Sequence, residues 1–408
     1  MTIVDSLDTL LIMGLTEEFQ QARKWVQDNL NFYNENSFLS VFETNIRFVG
    51  GLLSTYALTC DEMFKKKAVH IADKLLPAFD KSPSGIPYSH VNPVTGAVKN
   101  HKWSPSGTTI LADVGTLHLE FAYLTKITGD KRYLEKVEKA RAVLRDAPKQ
   151  DGLYPNYVSV MTGNFHGNEV SMGPFGDSFY EYLLKSWLQS NKTDENSKNM
   201  FYDAIEAISG KLLRISNSGM HYLTDFRGGR LGNTMEHLTC FAGGLFALGA
   251  HNNPAALESS KHYFKIGQEI TETCHRSYEL TKTKLSPNVF SFTGNGSNDA
   301  KGTEMFYCLR PEAVESYFVL WRLTHDDKYR RWGFELIEAL ETHCRVEHGF
   351  SGVRDVDNLP VVHDDVQQSY FLAETLKYLY LLFSNNDEEI SLSKWVFTTE
   401  GHPLPVFN

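Results

Sequence analysis

No block of lysine and arginine interrupts this chain of 408 residues, and its formal net charge is -10. The electrostatic footprint of a nucleic-acid-binding surface is therefore missing. No run of about 18 apolar residues occurs, so no segment of this chain spans a bilayer. The opening stretch MTIVDSLDTLLIMGL has no basic n-region, and Asp5 and Asp8 break its apolar run. It is not a signal peptide. It reads as the inside of a folded helix, and a lumenal protein needs a targeting segment that this stretch does not supply. Cysteine is scarce. Cys60, Cys240, Cys274, Cys308 and Cys344 form an odd set without close pairs, which argues against a zinc cage or a small disulfide scaffold. Composition alone favours five buried thiols. GxSxG, a GxGxxG following a strand, Walker A and HExxH are all absent. The acidic triplet His363-Asp364-Asp365 is read as a solvated loop. Two glycosylation sequons, Asn191-Lys-Thr and Asn295-Gly-Ser, are present.

Low-complexity linkers are missing too, so the chain reads as one domain. Its 42% hydrophobic content supports a large core. Helical periodicity dominates, as in SFYEYLLKSWL (178–188), GTLHLEFAYLTKI (115–127), VESYFVLWRLT (314–324) and AETLKYLYLLF (373–383). Several of these are apolar on most sides, which places them inside a ring or bundle. Between them recur short Pro/Gly-punctuated segments, GIPYSHVNPVTGAV, GLYPNYVSVMTGNF, GMHYLTDFRGGRLG and GFSGVRDVDNLPVV. Each reads as a β-hairpin or extended loop. The first three begin at Gly85, Gly152 and Gly219, an even step that is long enough for two helices. The pattern predicts radially arranged helical hairpins with β-hairpins gathered on one face.

Acids sit where these helices otherwise read as core: Asp8, Glu43, Asp113, Asp177, Glu181, Glu312, Glu315 and Glu374, accompanied by Arg47, His237 and Arg310. Carboxylates are rarely buried unless paired or functional. Any one pair has a structural explanation. Glu43 and Arg47 are four apart on one helical face, and Asp177 follows Gly176 as a helix N-cap would. The whole set is better explained by an acid-lined pocket. Carboxylates accept hydrogen bonds from hydroxyls, and the aromatic neighbours Phe42, Phe179 and Tyr370 suit sugar rings. Paired carboxylates also suit glycosidic cleavage, one protonating the leaving oxygen and the other activating water.

The segments TIVDSLDTLLIMGL, FETNIRFVGGLLS, GDSFYEYLLK, HLTCFAGG, LRPEAVES, FLAETLKYLYLLF and FTTEGHPLP resemble, in order and over essentially the whole chain, the class I α-1,2-mannosidases of glycoside hydrolase family 47. The resemblance implies an all-α (α/α)7 barrel over residues 1–408. A C-terminal β-hairpin plugs one end and brings Thr399 to the axis as a direct Ca²⁺ ligand. It implies Glu43 as general acid, Asp177 as a second acid that delivers the proton or positions water, and Glu312 as the base of an inverting reaction. Arg47, Phe175, His237, Arg310, Glu315, Tyr370 and Glu374 are implied as substrate-binding or calcium-shell neighbours. It also implies a Cys240–Cys274 disulfide, leaving Cys60, Cys308 and Cys344 free.

The expected activity is removal of terminal α-1,2-mannose from high-mannose N-glycans by a monomer in the secretory-pathway lumen, the Golgi ahead of the endoplasmic reticulum. The alternative is a non-hydrolytic glycan-binding relative of endoplasmic-reticulum quality control; a bare helical-repeat scaffold is disfavoured by the embedded acids. Three departures stand out. Asp113 replaces a usual glutamate. Phe175 stands where the endoplasmic-reticulum subclass carries arginine and the Golgi subclass an apolar residue. Finally, the resemblance places Met1 inside the second barrel helix, so that the first helix, and the membrane anchor usual in full-length relatives, are expected to be missing.

Overall fold

A computed structural model describes residues 1–105, 107–293 and 299–408. The sequon at Asn295 lies outside the described residues, whereas Asn191 is exposed in the turn after the helix Asp177–Gln189. The chain divides into two compact units. One comprises residues 1–171, 175–207 and 390–408, the other residues 172–174 and 208–389.

In the first unit the repeating motif is an all-round apolar helix followed by an amphipathic one. Gly50–Thr59 precedes Glu62–Leu75, and His118–Thr128 precedes Arg132–Asp146. The leading helix of each pair is buried over most of its length, while the second buries a single stripe, as a core-facing and a solvent-facing helix must. Turn chemistry separates them. Gly129 at φ 76° ends one helix at the left-handed position that costs glycine least. Asp61 caps another by accepting the Met63 N–H at 3.0 Å, as an N-cap aspartate does. The helix Asp177–Gln189 is buried from Ser178 to its end. Two three-stranded antiparallel sheets and the hairpin Trp395–Phe397/Pro403–Pro405 complete this unit.

The second unit repeats the motif with Phe241–Asn252 and Leu257–Glu279, then Glu312–Thr324 and Asp327–His343. The first pair packs backbone to backbone. A Cβ on Gly243 would lie 2.1 Å from Thr271 Oγ1, and one on Gly267 would lie 2.5 Å from the Gly243 carbonyl. The Cys240–Cys274 disulfide ties the same pair together, with Cα atoms 5.9 Å apart. Cys60, Cys308 and Cys344 are free. Among the described residues, no helix is long and apolar enough to cross a membrane.

The structure departs from the periodicity at four segments. TIVDSLDTLLI is broken at Ser6. GTLHLEFAYLTKI is interrupted at Thr116 and Leu117. Thr44–Val49 and Phe371–Thr375 are π-helical. Each π turn widens the helix next to an expected site residue, Arg47 or Glu374, where such turns are often found. The segment GMHYLTDFRGGRLG is not one hairpin: His221–Leu223 pairs back with Leu213–Ile215, and Phe226–Arg227 pairs with Arg230–Leu231.

Candidate active site

In the first unit the site is organised around Arg47. Ser40 caps the turn before it by accepting the Glu43 N–H at 3.1 Å. One helical turn later, Arg47 Nε donates to Glu43 Oε2 at 2.7 Å. The same guanidinium reaches Asp5 Oδ2 at 3.3 Å and pairs with Glu400. Asp5 is fully buried and Glu400 nearly so. Burial alone would lower the affinity of Arg47 for its proton, but Glu400, Glu43 and Asp5 outweigh it and raise its pKa. Glu43 is the exposed member of the group, with 49% of its side chain accessible.

Behind Asp5 stands His402. Its Nε2 lies 3.1 Å from Asp5 Oδ1 and its Nδ1 lies 2.8 Å from Asp8 Oδ2, all three side chains fully buried. Asp8 also accepts from Ser54. Asp177 opens its helix at the first helical position, not as its cap, and Oδ1 accepts the Ser178 N–H at 2.6 Å. Two residues earlier, Phe175 has φ 74°, a strained conformation for a bulky residue. Its ring lies 5.4 Å from Trp103 and 6.1 Å from Tyr157. Asp113 pairs with His101 at 3.0 Å, and burial raises its carboxyl pKa. Glu181 is taken by Lys185 in a buried ion pair, which removes it from the reactive set.

In the second unit the site is organised around Glu312, the first residue of its helix. His237 Nδ1 lies 2.8 Å from Glu312 Oε2, and His237 Nε2 lies 2.6 Å from the Tyr278 hydroxyl. Arg310 Nη1 is 3.6 Å from Glu312 Oε1. Burial pushes the Glu312 carboxyl up, but the hydrogen bond and charge of His237, with the charge of Arg310, hold it below the usual carboxylate range. Leu309, immediately before Arg310, has φ 63°, so this segment is strained like that at Phe175. Tyr370 is half-buried and donates its hydroxyl to the Cys308 carbonyl at 2.7 Å. Glu374 is buried and Glu315 is half-buried.

Thr399 lies in the turn of the C-terminal hairpin, half-buried, and its N–H points at the Tyr182 hydroxyl at 3.4 Å. Its own hydroxyl and carbonyl make no hydrogen bond among the described residues. Two hard oxygen donors on one residue therefore remain available, the chemistry that Ca²⁺ prefers. No group of three or more His, Cys, Asp or Glu is placed to hold a metal ion among the described residues. The donor set thus fits a cation held by Thr399 and water better than a carboxylate cage.

Sequence reasoning missed Asp5, Glu400, His402 and Tyr278. Glu400 and His402 flank Gly401 in the motif that supplied Thr399, and Asp5 lies three residues before Asp8. The spacing was a signal for those three. Nothing local marked Tyr278.

The helical hairpins thus carry two constellations, each joining an arginine to carboxylate chemistry. The profile described as Glycosyl hydrolase family 47 matches residues 1–406, and the chain belongs to that family. It is 52% identical over 408 residues to mannosyl-oligosaccharide 1,2-alpha-mannosidase IA of Sus scrofa, covering 100% of this chain and 61% of that one. It is 52% identical to mannosyl-oligosaccharide 1,2-alpha-mannosidase IB of Homo sapiens, again over 100% of this chain and 63% of that one. The chain thus spans about three-fifths of the length of these curated relatives. The solved alpha-1,2-mannosidase from Trichoderma reesei superposes with a TM-score of 0.90 at 28% identity, covering 100% of this chain and 90% of that one. The fold class is therefore the expected all-α (α/α)7 barrel. A D-mannose isomerase shares the fold at a TM-score of 0.60 and 14% identity, covering 86% of this chain and 88% of that one.

Proposed function

We propose that this protein is an inverting, Ca²⁺-dependent glycosidase that removes terminal α-1,2-linked mannose from high-mannose N-glycans. The reading rests on family membership joined to one observation: the carboxyl of Glu312 is held ionised by His237 and Arg310. A carboxylate kept in its basic form, with a small part of its side chain still accessible, is what a general base must be. Glu312 takes a proton from water, which attacks the anomeric carbon. Glu43 or Asp177 gives a proton to the leaving oxygen. Arg47 fixes the Glu43 carboxyl through Nε–H and holds Asp5 and Glu400 through Nη1. Phe175, Tyr370, Glu315 and Glu374 contact the sugar or the waters around it.

Thr399 would hold the cation through its hydroxyl and carbonyl. When bound, calcium supplies a hard positive charge that orients sugar hydroxyls and water. The relatives' names also support action on mannosyl-oligosaccharides; the secretory-pathway lumen, the Golgi ahead of the endoplasmic reticulum, is the compartment proposed with it. A monomer suffices for this chemistry.

The test is mannose release from a high-mannose glycan, with and without a chelator, followed by proton NMR of the first product. β-Mannose, lost on chelation and restored by Ca²⁺, is the expected result. α-Mannose as first product overturns the roles given to the acids. Glycan binding without any release supports instead a non-hydrolytic relative.

A further inference from the structure

Glu120 lies in a helix that reads as ordinary core, is fully buried, and belongs to none of the roles above. Its Oε1 accepts the Tyr182 hydroxyl at 2.6 Å, and Tyr182 in turn faces the Thr399 N–H. Its Oε2 is buried without a partner among the described residues. The Oδ1 of Asn45 is likewise buried and unpartnered, and the Asn45 side chain is within hydrogen-bonding reach of the Glu120 carboxyl. Asn45 Nδ2 donates to the Thr116 carbonyl at 3.2 Å, which fixes the orientation of the amide. If that amide donated to an ionised Glu120, Asn45 Oδ1 would remain orphaned at the full desolvation cost of a buried acceptor. Turning the amide over would forfeit the bond to Thr116. A single proton on Glu120 satisfies both orphaned oxygens at once.

Among the described residues Tyr182 makes the one side-chain hydrogen bond to this carboxyl; the Asn45 amide and the Glu120 main-chain N–H lie near enough to lower its pKa, but neither is a partner for Oε2. His402 approaches from the hairpin turn, but both its ring nitrogens are taken by Asp5 and Asp8. Tyr182 is already spent on Oε1. Gly50 offers no side chain, and a Cβ there would sit 3.0 Å from His402 Cδ2 and 3.7 Å from Glu120 Oε1. Tyr182 and His402 are the titratable groups that face Glu120 from the neighbouring elements.

We propose that Glu120 is a positioning residue carried as the neutral acid, its Oε2–H donating to Asn45 Oδ1 and its Oε1 accepting from Tyr182. One proton then braces two parts of the site from behind. Through Asn45 it holds the π-helical turn Thr44–Val49, which carries Arg47 and follows Glu43. Through Tyr182 it holds the main chain at Thr399. Burial pushes this carboxyl up to about 7, consistent with the proton's being retained under mildly acidic conditions. The bracing of mannose release rests on the function proposed above; the protonation does not.

The experiment compares the full chain with Glu120→Gln and Glu120→Ala. The infrared difference spectrum of wild type minus Glu120→Gln should show the carbonyl stretch of a protonated carboxyl at about pH 5.5, fading as pH rises through about 7. Gln carries an acceptor for Tyr182 and an N–H donor for Asn45. It should therefore recover most of the mannose release lost in Glu120→Ala, to within about threefold of wild type. Its release should also stay flat where that of the wild type declines above neutral pH. Absence of the protonated-carboxyl band overturns the proposal. So does a Glu120→Gln variant that is folded by circular dichroism yet as impaired as Glu120→Ala. A band present in a chain that releases no mannose under any condition would leave the proton in place, overturn the bracing of catalysis, and refute the proposed function.

Discussion

His237 and Glu312 meet at 2.8 Å, with the far nitrogen of the imidazole engaged by the Tyr278 hydroxyl at 2.6 Å. The ring is thus clamped at both ends, and its orientation toward the carboxylate is decided by packing. His237 is fully buried, so the contact is little screened by solvent.

With Glu312 as the proposed base, this clamp is expected to set the acidic limb of the pH–rate profile. Glu312 has a depressed pKa, so its base form, and the stability it contributes, are present above the ordinary carboxylate range and lost as pH falls through the lowered value. Removing the ring in His237→Ala takes away the leading influence that lowers it. The acidic limb of kcat/KM should move to higher pH, while Glu312→Gln should lower kcat by about 10²–10⁴-fold. An unmoved limb in a folded His237→Ala variant would show that the clamp is only structural.

Arg47 neutralises a buried acidic cluster. Replacing it with Met leaves Asp5 and Glu400 buried without their guanidinium, a loss of roughly 3–5 kcal/mol. Arg47→Met should therefore lower the melting temperature even where no substrate is present. A variant that melts with the wild type would mean that His402 alone balances these carboxylates.

The Cys240–Cys274 bridge closes a loop with a sequence separation of 34. In the chain-entropy model it contributes roughly 3–4 kcal/mol. The Cys240→Ser/Cys274→Ser double variant should melt at a lower temperature and resist less denaturant. Equal denaturant midpoints would assign the tie between these two helices to the close backbone packing at Gly243 and Gly267.

Glu120 gives a linkage prediction of the opposite sign to that of Glu312. Its folded pKa is raised, so its contribution is full below the ordinary glutamate range and is lost as pH rises through about 7. The melting temperature of the wild type relative to Glu120→Gln should fall between mildly acidic and mildly alkaline pH. A constant difference across that window would argue against a titrating group at this position.

Phe175 presents area without directed hydrogen bonds, and its ring adjoins Trp103. The protein should release several mannoses from the nine-mannose glycan without stalling. Phe175→Arg should narrow that range toward one preferred branch. A wild-type time course that halts after a single sugar would count against the assignment.

Much of the candidate site was legible because its acids violate the helical pattern around them. Glu43, Glu312 and Glu374 stood out as carboxylates in apolar helices, and the Glu43–Arg47 pair followed from a spacing of four. Glu120 was not legible. A lone acid in the otherwise apolar LHLEFAYL has no charged residue at helical spacing to pair with, and only its complete burial and unpartnered oxygen mark it as different. The π-helical turns escaped notice for a related reason: an inserted residue shifts the face of a helix without altering its composition.

By itself the sequence determined the helical pattern of the chain, the family to which it belongs, and the acids available for chemistry. These properties follow from local periodicity and residue type. Only the tertiary structure decided the partners. Arg47 finds Asp5 across 42 positions and Glu400 across 353, and His237 finds Glu312 across 75. The protonation of each acid depends on which donors and charges are brought to it when water is excluded. Those neighbours are chosen by the packing of helices far apart in the chain, and no local spacing encodes that choice.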